Sequence, residues 1–546
     1  MVTGVWGRSF VYAPRVPARP GRVTASDPVD EIDGRRAADV IVVGAGASGA
    51  ALAARLSEDS ARAVLLLDAG PVPEHPPLFP PELLDARLVP GAQPDHPAVQ
   101  RYAAFLTPER PYTVVRGRGL GGSTTVNGGY FVRARREDFD RWSAAGNPAW
   151  AYDRMLPLLR ALETDLDYGA GELHGGEGPM RIRRRALAHP AAAAFRAAAE
   201  ELGHPFEPDK NDQAPPGFGP VPSNAVDGLR LNTGISYLMP ALARANLTVI
   251  GDCAVRRVAV RHGRACGVVV LRNGRETVLH SDEVVLCAGS FVTPQLLQRS
   301  GIGPRATLER HGIPVVHDAP AVGTRFSDHP QLVLEWAPRT DLGAPDDLWL
   351  GGCLHLSSSD LTHPGDLEIL QSLVPMAGLA GGAPAVAGAP LAFLVSVQSP
   401  ASTGRLRIRS ADPAVPPHIQ YGYLATSDGR RRLREAVRAT ADIVATRAFR
   451  HVARAGLLQP EPQLLAGDDV LDEWIGRSIG TSHHACGTAP MGPDGSTAAV
   501  DQYGRVHGVS GLRVADTSIL PTAPLRGPAA TAVLIGEFIA RAMRRE

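Results

Sequence analysis

Lysine is almost missing from this chain of 546 residues. Lys210 is the sole one, and the 56 basic residues are otherwise arginine. Acidic residues also number 56, so the formal net charge is zero and no global basic field exists to recruit nucleic acid. Cysteine is scarce and unpatterned. Its five positions (Cys253, Cys266, Cys287, Cys353, Cys486) form an odd set without a C-x-x-C pair. That argues against a disulfide framework and a zinc site, so no metal is expected and a reducing compartment is favoured. No apolar run reaches the ~18 residues that cross a bilayer, so no transmembrane segment is expected. Residues 1–36 are rich in Arg and Pro and lack the apolar centre of a secretion signal. They read as a mobile leader or the product of an over-early start codon. The default location is cytoplasmic, with contact at the inner face of a membrane left open. The length allows several domain-sized units and a core large enough to need no staples.

What is present is glycine at informative places. "ADVIVVGAGASGAALAARL" (38–56) places the apolar run Val40–Val43, suited to a buried parallel strand, before Gly44, Gly46 and Gly49, and then an Ala/Leu helix. In this G-x-G-x-x-G spacing Gly44 permits the tight turn and Gly46 lets backbone approach a pyrophosphate. Gly49 lets helix and strand pack closely, with the helix N-terminus facing the phosphate. A second strand, "AVLLLDAG", ends in Asp68, nineteen residues past Gly49, where a carboxylate can hold a ribose hydroxyl pair. The motif fits either NAD or FAD.

Three later segments narrow that choice. "GRGLGGSTTVNGGYFVRARREDFD" (117–140) is dense in glycine, at 121, 122, 128 and 129 among others, which suits a chain running flat against a planar ligand. "VVLCAGSFVTPQLLQRSGIGP" (284–304) reads as strand, small-residue turn Ala288-Gly289-Ser290 and helix. "VHGVSGLRVADTSILPT" (506–522) reads as a strand ending at Asp516, and "AATAVLIGEFIARAMRR" as a helix after it.

These segments resemble the glucose-methanol-choline (GMC) oxidoreductases, FAD enzymes acting on alcohols. The likeness extends over everything after the leader, through 117–140 and Gly289 to Gly303, and through shorter stretches such as "HGGEGPM" (174–180), "RANLTVIGDCAVRRV" (244–258) and "GTRFSDHP" (323–330). The resemblance implies an α/β (overall α+β) fold. A Rossmann-like, doubly wound FAD-binding domain would be assembled from 37–160, 225–312 and 478–546. A substrate domain with a mainly antiparallel sheet would come from 161–224 and 313–477. It also implies cofactor contacts at Gly44, Gly46, Gly49, Asp68, Gly122, Ser123, Asn127, Gly128, Val255, Ala288 and Asp516. Some relatives tether the flavin through a histidine just before the Asn of the first signature. Here that position is Val126, so the FAD is expected to be non-covalent.

The family places a proton-accepting histidine in an H-P-x-G-T-x-x-M-G stretch. "HACGTAPMG" (484–492) fits it with Ala485 in place of Pro, which makes His484 the candidate base and His483 its flanking neighbour. Imidazole suits the task because its unperturbed pKa near ~6.5 lets it take a proton at neutral pH and return it. A second family position, a His or Asn eight residues before the polar residue of the last helix, falls on Ala529. Alanine has no hydrogen bond to offer, so His483 and Arg526 are the nearest replacement donors. The alternative is a redox-neutral lyase or decarboxylase on the same scaffold, or a flavin-free binding protein.

The pairing of "NGGYFVRARREDFDRW" with "LRGPAATAVLIGE" is similar to the mycofactocin-associated GMC dehydrogenases. That likeness implies a reduced-carrier substrate and electrons passed to a respiratory-chain acceptor. A generic aliphatic or aryl alcohol dehydrogenase or oxidase is the rival. "DGRRRLREAVRAT" (428–440) reads as a solvated helix face, and "GLAGGAPAVAGAP" (378–390) as a loop able to act as a lid.

Overall fold

A computed structural model describes residues 36–546 apart from 94, 273, 360–362, 380–387 and 400–401. The expected leader and most of the expected lid therefore lie outside the described residues.

The Val40–Val43 run belongs to strand β1 (Arg36–Val43), followed by helix α1 (Ala47–Leu56) and β2 (Val64–Leu67). Farther along come β3 (Leu247–Ile250), β4 (Ala254–Arg261), β5 (Arg264–Arg272), β6 (Arg275–Leu286), helix α2 (Gly289–Arg299), β7 (Leu512–Val514) and helix α3 (Ala529–Met543). The parallel order is β3-β2-β1-β6, and β6 is long enough to serve two partners on its far side. Its first half pairs antiparallel with β5, and its last three residues pair parallel with β7. β1 and β6 run parallel, but the order in which the chain adds strands reverses between them, outward to β2 and β3 on one side and to β7 on the other. In open α/β sheets that switch point, at the carboxyl ends of the strands, is where a crevice for a ligand opens.

A second seven-stranded sheet runs in the order Ala453–Leu457, Pro330–Pro338, Leu391–Val397, Leu367–Ser372, Leu350–Leu356, Phe218–Pro220, with Gly480–Thr481 also paired to Pro330–Pro338. These pairings are antiparallel. One face, carrying Leu332, Leu334, Leu354, Ile369, Phe393 and Val395, packs with Leu433, Val437 and Val444 of the helix Ser427–Ala445. The arginine run expected to be a solvated face is thus amphipathic. Arg432 is buried and paired with Asp366 (3.1 Å) and Asp428 (3.0 Å), while Arg431 lies nearer solvent with Glu435. No helix among the described residues is long and apolar enough to cross a membrane.

Candidate active site

Three loops meet at the switch point. The turn after β1 begins at Gly44 (φ +106°), where a Cβ would stand 2.5 Å from the Cys287 carbonyl oxygen in the turn after β6. A Cβ on Gly49 would lie 1.9 Å from the Gly44 carbonyl oxygen, so this turn admits no side chain there. Gly46 differs. Its backbone is extended, and the nearest atom to an added Cβ is Gly122 Cα at 3.9 Å. Helix α1 has no side-chain cap and no acidic residue in its first turn. Free N–H groups beside an open glycine face fit the pyrophosphate of a dinucleotide.

The first signature loop closes over this turn through Gly121 N–H donating to the Ala45 carbonyl (2.8 Å). Its glycines are required by protein packing more than by a flat ligand. Gly122 (φ +50°) abuts Gly46 Cα, and a Cβ on Gly128 would stand 2.6 Å from the Trp349 ring, whose Nε1 donates to the Gly128 carbonyl (2.9 Å). Ser123 accepts from Gly117 N–H and Asn127 from Gly129 N–H, both local ties. Val126 is buried in the core. Asp68, at the end of β2, accepts N–H bonds from Ala45 (2.8 Å), Gly70 (2.8 Å) and Gly119 (3.0 Å), so it ties the loops together at the position expected to hold ribose. Burial pushes its pKa up. Cys253 N–H bonds the Asp68 carbonyl, which brings the start of β4, with half-buried Val255, to the same edge.

Asp516 follows β7 and fastens helix α2. Its Oδ2 accepts from Gly289 N–H (2.9 Å) and Thr293 Oγ1 (2.6 Å), just past the Ala288 cap, and its Oδ1 accepts from Ser518 N–H and the Ser518 hydroxyl. Burial raises this carboxyl too, and four donors offset that cost. The segment after Asp516 carries the histidine stretch alongside: Gly487 N–H bonds the Thr517 carbonyl and Ala489 N–H the Ser518 carbonyl. His484 therefore arrives at the edge of the cradle from a segment distant in sequence from the turns that build it.

His484 is held from two sides. Its N–H donates to Asp328 Oδ1 (2.8 Å), and its ring Nδ1 lies 2.9 Å from Nδ1 of His329, the rings 82° apart. Burial, followed by the neighbouring His329 and His483, holds the His484 pKa well below the usual imidazole value. Burial brings His329 down to about 3. Both rings are thus neutral, and the shared contact carries one proton. An added Cβ on Gly527 would lie 3.4 Å from His484 Cε1 and 3.5 Å from Nε2, so the ring turns that edge to a backbone without a side chain. With Nε2 as the basic nitrogen, Nδ1–H donates to His329, which then carries its own proton on Nε2. His483, in left-handed backbone (φ +63°), sends its ring toward Tyr112 with centroids 6.4 Å apart.

Two family models described as GMC oxidoreductase match residues 38–331 and 400–536. The chain is a GMC oxidoreductase. An uncharacterised GMC-type oxidoreductase of Rhodococcus erythropolis is 38% identical over 504 residues, covering 92% of this chain and 97% of the relative. An oxygen-dependent choline dehydrogenase of Yersinia pseudotuberculosis is 35% identical over 546 residues, covering 93% of each. Among solved structures, the pyridoxine 4-oxidase from Mesorbium loti superposes with a TM-score of 0.86 at 28% identity, over 93% of this chain and 99% of that one. A fungal aryl-alcohol oxidase superposes at 0.79 with 22% identity, over 94% and 99%, a likeness of fold. As a GMC oxidoreductase the chain is an FAD flavoprotein acting on CH–OH groups.

In this GMC oxidoreductase the position facing His484, the candidate base, is Gly527. Ala529, the residue reached by counting back from the last helix, begins α3 and packs against the core around the first sheet. Arg526 is fully buried, and its Nη1 donates to the carbonyls of Gly365 (3.0 Å) and Leu525 (2.6 Å). Sequence reasoning assigned nothing to a polar row across the second sheet. Gln331, Ser396, Glu368 and His355 stand directly opposite one another on four successive strands. Glu368 accepts from Gln398 Nε2 (3.1 Å) and bonds His355 Nε2 (3.0 Å). His329, two residues before Gln331, is continuous with this row. Cys353, His355 and Glu368 lie close enough to share a cation. The charges of Lys210 and Arg526 act on the same groups and oppose one.

His329 is placed to orient the candidate base. Replacing it with Phe is expected to slow flavin reduction about tenfold or more, the range of a lost ring-orienting partner. The depressed His484 pKa keeps the base form dominant as pH falls, so activity is lost only at acid pH. Without the second imidazole, the acid limb of the rate–pH profile moves to higher pH. Stopped-flow reduction across the pH range checks this; an unmoved limb would make His329 packing alone.

Proposed function

We propose that this enzyme oxidises an alcohol CH–OH donor, with His484 Nε2 taking the hydroxyl proton. FAD, when bound, supplies the two-electron acceptor for the hydride. What carries the reading is the geometry of His484: a buried neutral imidazole at the edge of the glycine cradle, tied at Nδ1 to His329 and turned at Nε2 toward Gly527. Asp328 fixes the backbone of both histidines, accepting from His329 N–H (2.7 Å) as well as from His484. Gly44, Gly46, Gly49, Asp68, Gly122, Ser123, Asn127, Gly128, Val255, Ala288 and Asp516 would hold the cofactor. A donor deuterated at the carbinol carbon is expected to show a primary isotope effect on flavin reduction. Turnover of a substrate without any flavin reduction would support the lyase reading instead, to which the side-chain gap at Gly527 and Ala529 gives its footing.

Val126 offers no nucleophilic atom at the tethering position and is buried among apolar neighbours, which supports a dissociable cofactor. Acid precipitation is expected to leave all the yellow colour in the supernatant; colour in the pellet would show a covalent bond elsewhere.

Reduced mycofactocin, with electrons passed to a respiratory acceptor, rests on the two segment likenesses at 127–142 and 525–537. Choline, named in the Yersinia relatives, fits poorly here. Arg526 makes no ion pair among the described residues, and its buried charge, which acts on His329, disfavours a quaternary ammonium in the same region.

A further inference from the structure

We propose that the donor carries a carboxylate, gripped by the Nε–Nη2 edge of Arg526. The proposal rests on the alcohol-oxidising reading and adds to it the substrate class. The Arg526 side chain is fully buried, and its hydrogen bonds leave one edge bare. Nη1 serves two carbonyls, while Nε and Nη2 are buried without a partner. Those two N–H groups lie side by side in the guanidinium plane, the fork that matches the two oxygens of a carboxylate. A buried guanidinium edge without an acceptor is costly, and a bound carboxylate removes that cost.

The neighbouring carboxylates are engaged elsewhere. Glu368 is bonded by His355, Gln398 and Ser396, and Glu207 by Lys210 Nζ (2.5 Å) and Gly217 N–H (3.0 Å). Position completes the case. Arg526 immediately precedes Gly527, which faces Nε2 of His484, and its charge acts on His329, the partner of that ring. Gln398 Oε1 is also buried without a partner, so the same region offers a further polar atom to a ligand. A carbinol at His484 and a carboxylate at Arg526 would then belong to one molecule, with the side-chain gap at Gly527 leaving room between them.

The test uses the FAD-loaded enzyme and two matched probe pairs. Benzoate and benzamide are titrated as ligands, followed by perturbation of the flavin spectrum and by thermal melting. 4-(Hydroxymethyl)benzoate and 4-(hydroxymethyl)benzamide are compared as anaerobic reductants. Benzoate is expected to bind about tenfold or more tightly than benzamide, and Arg526→Lys, which keeps the charge but loses the fork, to lose most of that preference. Arg526→Gln is expected to abolish it. Equal binding of acid and amide by the wild-type enzyme overturns the proposal, and needs no variant to fold. So does undiminished benzoate preference in a flavin-replete Arg526→Gln enzyme. Benzoate preference without reduction by any alcohol would keep the anion site and remove the alcohol reading. Reduction by both alcohols with no acid preference would do the reverse.

Discussion

Substituting His484 with alanine is expected to slow the reductive half-reaction by ~10²–10⁴, the usual worth of a positioned proton acceptor. That corresponds to about 3–5 kcal/mol of transition-state stabilisation. The ring's fixed contacts are one nitrogen to His329 and its backbone N–H to Asp328, and the latter survives the substitution. Flavin content and melting temperature should therefore stay close to wild type while the rate collapses. Rapid-mixing reduction under anaerobic conditions reads the effect directly. A variant that reduces its flavin at the wild-type rate would remove His484 from the chemistry and return attention to His329.

The second large effect separates folding from cofactor binding. Gly46→Ala places a Cβ where the nearest protein atom is 3.9 Å away, on backbone already extended, so the chain should fold and pack as before. The added methyl instead occupies the face that a pyrophosphate would approach. FAD affinity is expected to fall ~100-fold, about 2.7 kcal/mol, and the protein to purify pale. Gly49→Ala is the contrasting control, because its Cβ would meet the Gly44 carbonyl oxygen at 1.9 Å and the turn itself must break. Equal FAD affinity in Gly46→Ala and wild type, measured by titration of the apoprotein, would place the phosphates elsewhere.

The glycine turn proposed as the phosphate cradle was legible because its determinants are local. Spacing of Gly44, Gly46 and Gly49 after an apolar run encodes a turn within a few residues, and Asp68 closes the next strand. The stretch carrying His484, the proposed base, was legible through a short motif in the same way. The structure adds a structural load to Asp68 and a packing reason for Gly128, since the Trp349 ring that requires glycine there lies far along the chain.

What escaped depends on register. His329 sits inside "GTRFSDHP", a stretch recognisable as family-like, yet its contact with His484 exists only because 327–329 pair with 482–486. The row Gln331, Ser396, Glu368 and His355 comes from four separate strands, and strands buried on both faces read as apolar runs that hide an inward polar position. The gap opposite the base was sought at Ala529 by counting along helix α3. The loop before that helix turns Gly527 toward His484, which a linear count does not show.

The account depends on His484 deprotonating a donor whose electrons reduce a bound flavin. Mixing the purified, FAD-loaded protein with 4-(hydroxymethyl)benzoate in the absence of oxygen, and recording the visible flavin band, tests this most directly. The account predicts full bleaching at a rate that falls by orders of magnitude in His484→Ala; a band that stays unchanged with this donor and with every other alcohol tried would contradict it.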